Sequence, residues 1–187
     1  MKIISEYIDA MPDLNAQEKA RLNYFLSCVI YEGSKIILFL LFFSLTHHLK
    51  SFLYALMILL PLRTISGGLH FKHYISCFAF SFGYFYTVTV LLQSAQLSFW
   101  VSILLLISCV FINYAIGPVT SDSRPPLTTE RIKQGRLRIT AITCYESILT
   151  GLFFDTSLAT VGFWTIVLHS VQLIIAKLCK KRGENHV

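Results

Sequence analysis

From His73 to Ser121 the chain contains no Asp, Glu, Lys or Arg. A stretch of that length holds two bilayer spans of roughly 20 residues each. A second uncharged run, from Thr156 to Ala176, is about one span long. A soluble domain needs a charged exterior, yet only 14% of the 187 residues are charged, about half the usual share. The mean hydropathy is +0.62. These observations define an all-α, polytopic integral membrane protein.

Hydrophobic periodicity divides the chain into segments. Ile3, Ile4, Tyr7, Ile8 and Met11 fall on one helical face. A second amphipathic stretch begins at Asn15, where Glu18 three residues later completes the pattern of a capping box. Leu22, Phe25, Leu26, Val29 and Ile30 continue it at helical spacing. The region 1–32 therefore reads as amphipathic helices of the membrane interface. Residues 33–62 read as an apolar hairpin, Ile36 to Thr46 and Ser51 to Leu62, turning at His47, His48 and Lys50. Arg63 to Cys77 is a polar, glycine-containing break. Spans follow over 78–96 and 97–116, then a basic Pro-containing loop over 117–138, then spans over 139–154 and 158–178. The expectation is about six membrane segments, or four spans plus a re-entrant hairpin, in a single domain over 1–187.

The formal net charge is +6, but the basic residues sit in flanks and loops between apolar runs. They report membrane orientation rather than a nucleic-acid surface. With the N-terminus inside, Arg63, Lys72, the loop residues Arg124 to Arg138 and the tail Lys180, Lys181 and Arg182 all face the cytoplasm, and only Lys50 falls outside. Met1 to Asn15 lack a basic start followed by an apolar core and a cleavage site, so no signal peptide is expected. Five cysteines, mostly within apolar runs, do not suggest a disulfide framework.

Chemistry concentrates in Arg63-Thr-Ile-Ser-Gly67-Gly68-Leu-His70-Phe-Lys72-His73-Tyr-Ile-Ser-Cys77. The segment holds a potential nucleophile, two potential bases, two cations and two glycines. A thiolate is the nucleophile in cysteine chemistry, and a nearby imidazole supports it and can later protonate a leaving amine. Arg63 and Lys72 add positive potential, and Gly67-Gly68 permits a sharp turn or a close backbone approach, as a peptide groove requires. His73 and Cys77, four residues apart, share a face if the segment is one helix. His70 reaches the thiol only if the chain breaks after the glycines. Residue types alone leave the base open. A metal site at His70, His73 and Cys77 lacks a fourth ligand, and neither a zinc-protease helix nor a phosphate-binding loop is present. No cofactor or metal is expected.

The pattern Arg63-x-x-x-Gly67-Gly68-x-His70-x-x-x-x-x-x-Cys77 resembles the signature of the accessory gene regulator B proteins, bacterial membrane endopeptidases that process quorum-sensing propeptides. The resemblance extends to the chain length, the flanking apolar segments and Gly117-Pro118 followed by the basic loop. It implies Cys77 as nucleophile and His70 as base, with Arg63, Gly67 and Gly68 completing the motif and His73 secondary. It implies a propeptide partner with an amphipathic leader, a Cys- or Ser-containing core and an acidic tail. Arg63, Lys72 and the 124–138 loop would attract that tail. The implied location is the bacterial cell membrane, with the site on the cytoplasmic side.

Two polar residues, Glu146 and His169, lie inside expected spans, where ionisable groups are costly and often functional. Glu146 could pair with another polar residue, line a path or hold a homodimer contact. A rival class is a small transporter or channel in which Glu146, His169 and Gln172 line a path and Cys77 is incidental.

Overall fold

A computed structural model describes residues 15–69, 73–119, 128–152 and 156–184. Some side chains between residues 16 and 28, and those of 181–184, fall outside that description, as does the amphipathic stretch at Met1 to Met11. Six α-helices occur among the described residues: α1 (Ala16–Leu45), α2 (Leu49–Ser66), α3 (Tyr74–Tyr86), α4 (Phe99–Ile116), α5 (Thr129–Leu152) and α6 (Ser157–Glu184). They contain no strand; one isolated parallel bridge joins Gly67 to Val119.

The N-terminal unit, up to Thr46, contains α1. Its start has the expected capping box. The Asn15 side chain accepts from the Glu18 N–H at 2.9 Å, and the Glu18 carboxylate accepts from the Asn15 N–H at 3.0 Å. The boundary expected near residue 33 is absent, because α1 runs on as one helix. Glu32 and Lys35 pair at 2.6 Å within one turn, so their charges do not interrupt it. Lys35 itself is buried. At the far end, both the Thr46 N–H and its hydroxyl bond to the Phe42 carbonyl. His47, with φ of +61°, follows.

In the second unit, from His47 onward, α2, α4, α5 and α6 pack around one core. Ile58 and Leu62 of α2 meet Leu106 and Cys109 of α4 and Phe163 and Ile166 of α6, with Ile142 of α5 against them. Gly162 sets the closest approach: a β-carbon there would lie 2.9 Å from Ile58 and Tyr54 of α2 and from Thr150 of α5. Small residues let helix backbones approach in this way. A polar contact also crosses the bundle, from Asn113 Nδ2 to Thr143 Oγ1 at 3.1 Å. Glu146, next on the same face of α5, is buried. Helix α3 buries less. Its attachments include Phe85 edge-on against Phe52, with ring centroids 4.9 Å apart, and the Tyr84 hydroxyl donating to the Thr165 carbonyl at 2.7 Å. It continues into a π-helical turn over Thr87–Leu91.

Among the described residues, four segments are long and apolar enough to cross a membrane: Leu49–Ser66, Tyr74–Leu91, Phe99–Ile116 and Ser157–Lys180. The number is about four, as in the second expectation, rather than about six; the second helix of the expected hairpin is one of them and the segment over 139–154 is not. The segment ending at Leu62 extends to Ser66, because the Ser66 hydroxyl bonds back to the Leu62 carbonyl and the Gly67 N–H bonds to the Arg63 carbonyl. It thereby reaches span length. Conversely, the loop expected over 117–138 is helical from Thr129. Arg131, Lys133, Arg136 and Arg138 therefore join α5, which is not apolar enough to count as a span. Ile75, Trp100, Phe111 and Leu152 point outward and exposed; a lipid surround accommodates such side chains.

Gly162→Leu is expected to destabilise the bundle by about 1–3 kcal/mol, the usual cost of overpacking. A lowered melting temperature of the detergent-solubilised protein measures it.

Candidate active site

The break in the polar segment is shorter than its sequence suggests. Helix α2 persists through Arg63 and ends at Ser66, and α3 begins at Tyr74. Gly67 and Gly68 turn the chain with φ of +75° and +148°, values that L side chains rarely adopt. The close approach expected of the glycines is present, and the approaching backbone is the protein's own. The Val119 N–H donates to the Ser66 carbonyl at 2.8 Å, and a β-carbon on Gly67 would collide with the Val119 carbonyl oxygen. Leu69, just after the glycines, packs on Val119, Leu173 and Ala176. The glycine turn is therefore held between the end of α4 and the second half of α6.

Two α6 side chains support this turn from below. His169, fully buried, places Nε2 2.9 Å from the Ser66 hydroxyl. That hydroxyl has one proton, and its shorter bond, 2.6 Å, goes to the Leu62 carbonyl. Ser66 therefore accepts from His169, which fixes the proton of the neutral ring on Nε2 and leaves Nδ1 bare. With its proton committed and its side chain buried, Ser66 is arranged as a structural hydroxyl and not as a nucleophile. One turn further along, Gln172 is also buried and lies against Gly68: a β-carbon there would be 3.0 Å from Gln172 Nε2.

Cys77 is half-buried in the first turn of α3, its N–H bonded to the His73 carbonyl at 3.2 Å. His73 is exposed, in extended backbone at the N-cap position. The chain is thus not one helix from His70 to Cys77, which removes the straight-helix geometry that singled out His73. Arg63 is half-buried, with Nη2 3.4 Å from the Leu69 carbonyl. His70 and Lys72 lie outside the described residues, as do Arg124, Pro125 and Pro126 of the basic loop.

Several cations collect at this end of the bundle. Arg136 packs over Gly117, and Lys177 Nζ lies 3.3 Å from the Ile116 carbonyl. Lys50 is at the start of α2, beside His48, whose ring meets Gln93 at 3.1 Å. Lys50 thus lies at the opposite end of α2 from Arg63. The transporter alternative receives less support. A cavity of about 300 Å³ is lined from α4, α5 and α6 at the other end of the bundle, by residues including Leu97, Ser102, Ser147, Thr150, Thr160 and Phe163. Glu146, His169 and Gln172 do not line it, and His169 is engaged with Ser66.

Ser66, Val119, His169 and Gln172 were not legible as parts of one site. The available signal was the spacing of Thr165, His169 and Gln172 on one stripe of an otherwise apolar helix.

The described fold is that of an all-helical polytopic membrane protein, with a glycine turn closing α2 and a half-buried cysteine in the first turn of α3. The accessory gene regulator B family model matches residues 1–173, and the chain belongs to that family. An AgrB-like protein of Clostridium beijerinckii is 26% identical over 115 residues, covering 60% of this chain and 57% of that relative. An AgrB-like protein of Clostridium perfringens is 23% identical over 175 residues, covering 92% and 93%. Both relatives are described only by their likeness to AgrB. No solved structure matches.

Gly67→Ala is expected to lower the yield of folded protein, since its β-carbon meets backbone that cannot move aside and its φ disfavours alanine. Gly83→Ala, with open space around the new methyl, is expected to be neutral or to stabilise by up to about 1 kcal/mol. Size-exclusion profiles and melting temperatures of the two variants provide the comparison.

Proposed function

We propose that this chain is a membrane cysteine endopeptidase that removes the C-terminal tail of a quorum-sensing propeptide and leads to its cyclisation. The observation that carries the reading is the family match over residues 1–173, which spans the whole cluster from Arg63 to Cys77. The extended backbone at His73, just before α3, supports it as well, because a continuous helix would hold a base at position 70 two turns from the thiol.

In this reading the Cys77 thiolate attacks the carbonyl carbon at the core–tail junction. The carbon–nitrogen bond breaks, His70 protonates the departing amine, and the tail leaves with a free amino terminus. The core remains on Cys77 as a thioester. A thiol within the core attacks that thioester, closes a thiolactone ring and returns the Cys77 thiol. One thioester replaces another, so the second step is near thermoneutral and needs no ATP. Water must be excluded or hydrolysis competes, and a site between packed helices and the membrane interface suits that need. Arg63, Lys72 and the basic residues of 124–138 attract the acidic tail, and Gly67 and Gly68 shape the segment the substrate meets. The site faces the cytoplasm of a bacterial cell.

Cys77→Ala and Cys77→Ser are expected to abolish tail release, at least a thousandfold, while inserting normally. The assay uses a synthetic precursor with an amphipathic leader, a cysteine-containing core and an acidic tail. Normal release by Cys77→Ala ends the mechanism. His70→Ala is expected to lose thioester formation and tail release together, and His73→Ala only to weaken them. Full activity in His70→Ala with loss in His73→Ala would assign the base to His73.

Single cysteines placed from 124 to 138 are expected to react with a membrane-impermeant maleimide only after cells are permeabilised. Labelling in intact cells would reverse the orientation.

A further inference from the structure

We propose that Gln172 is a substrate-binding residue whose side-chain amide pairs with a peptide unit of the propeptide next to the scissile bond. The proposal rests on the peptidase reading above and adds a residue to it. Gln172 is 3% exposed, and neither its Nε2 nor its Oε1 has a hydrogen-bond partner among the described residues. A buried amide with both ends unpaired is costly and calls for an explanation. Its nitrogen end lies against Gly68, where the missing β-carbon leaves the peptide backbone bare. A primary amide presents a donor and an acceptor side by side. That pairing matches the carbonyl and N–H that an extended peptide offers.

Depth places Gln172 level with the nucleophile. The Tyr84 hydroxyl bonds to the Thr165 carbonyl, which pins α3 to α6 at one height. Gln172 and Leu173 lie at the end of α6 near Gly68 and Leu69, and α3 begins just after that turn, so the two helices run in opposite directions. Cys77 is seven residues back along α3 from Tyr84, and Gln172 is seven residues on along α6 from Thr165. Both steps are about 10 Å of helical rise in the same direction. Cys77 and Gln172 therefore stand at matching depth, with Gln172 against the glycine turn. His169, one turn nearer the centre of α6, is committed to Ser66 through Nε2, whereas the Gln172 amide is unpaired among the described residues.

Gln172→Leu separates this role from a structural one, because the two predict opposite signs. Leucine keeps the approximate shape and removes the unpaired amide, so the substrate-free protein is expected to keep or raise its melting temperature. Binding of the fluorescein-labelled synthetic precursor, measured by anisotropy in the Cys77→Ala background in lipid nanodiscs, is expected to weaken about tenfold. In the active background, KM for tail release should rise by a similar factor. Unchanged binding and KM overturn the proposal. So does a lowered melting temperature that accompanies the binding loss, since the amide would then be tying down the protein's own chain. The two readings fail separately: tail release that survives Cys77→Ala removes the peptidase reading itself, whereas release that needs Cys77 but ignores Gln172→Leu removes only this assignment.

Discussion

A helix that stops inside an apolar bundle leaves carbonyl groups without partners, and little water is there to take them up. The end of α2 faces that problem at Ser66. The protein resolves it with the Val119 N–H, which reaches the Ser66 carbonyl at 2.8 Å. The parallel bridge between Gly67 and Val119 accompanies this bond and requires a residue without a β-carbon at position 67. The turn and the packing of Leu69 just after it depend on that exchange. The buried Ser66–His169 pair then secures the same turn from α6, so three separate segments converge on one helix terminus.

The arrangement also explains why polar residues are tolerated in the last helix. His169 and Gln172 sit in a span that is otherwise uncharged, where a buried polar group is costly unless it is bonded. His169 meets that cost through Ser66. Asn113 Nδ2 donates to Thr143 Oγ1 in the same manner between α4 and α5. Gln172 differs, because its amide is held in place by packing and not by hydrogen bonds among the described residues. Other buried polar atoms also lack partners among the described residues, Glu146 Oε2 and Thr150 Oγ1 among them, but Gln172 has both ends of its amide unpaired and lies against the glycine turn.

Much of this was readable in the sequence. The uncharged runs marked the spans at 74–91, 99–116 and 157–180 to within a few residues, because apolar length is a local property. The capping box at Asn15 and Glu18 was equally local. The continuity of α1 through Glu32 and Lys35 was missed because the ion pair that neutralises those charges is a matter of rotamers and not of hydropathy. The extension of α2 past Arg63 was missed for a related reason: the polar side chains there suggested a break, while the bonds of Ser66 and Gly67 prolong the helix. At the site, the glycines announced a close backbone approach but not its partner. Val119 lies far along the chain and carries no polar side chain to mark it. His169 and Gln172 were visible as oddities in a span, but their meeting with Ser66 and Gly68 is a tertiary fact.

The pairing of Gly67 with Val119, and of Ser66 with His169, also imposes an order of assembly. When α2 leaves the ribosome and enters the membrane, the residues that complete its end have not yet been made. The Ser66 carbonyl waits for the chain to cross twice more before Val119 arrives, and the hydroxyl waits for the last span. The glycine turn therefore reaches its final form only once α6 has been made. A chain truncated before α6 would lack both His169 and Gln172 beneath that turn, so the end of α2 matures only after the last of these helices is inserted.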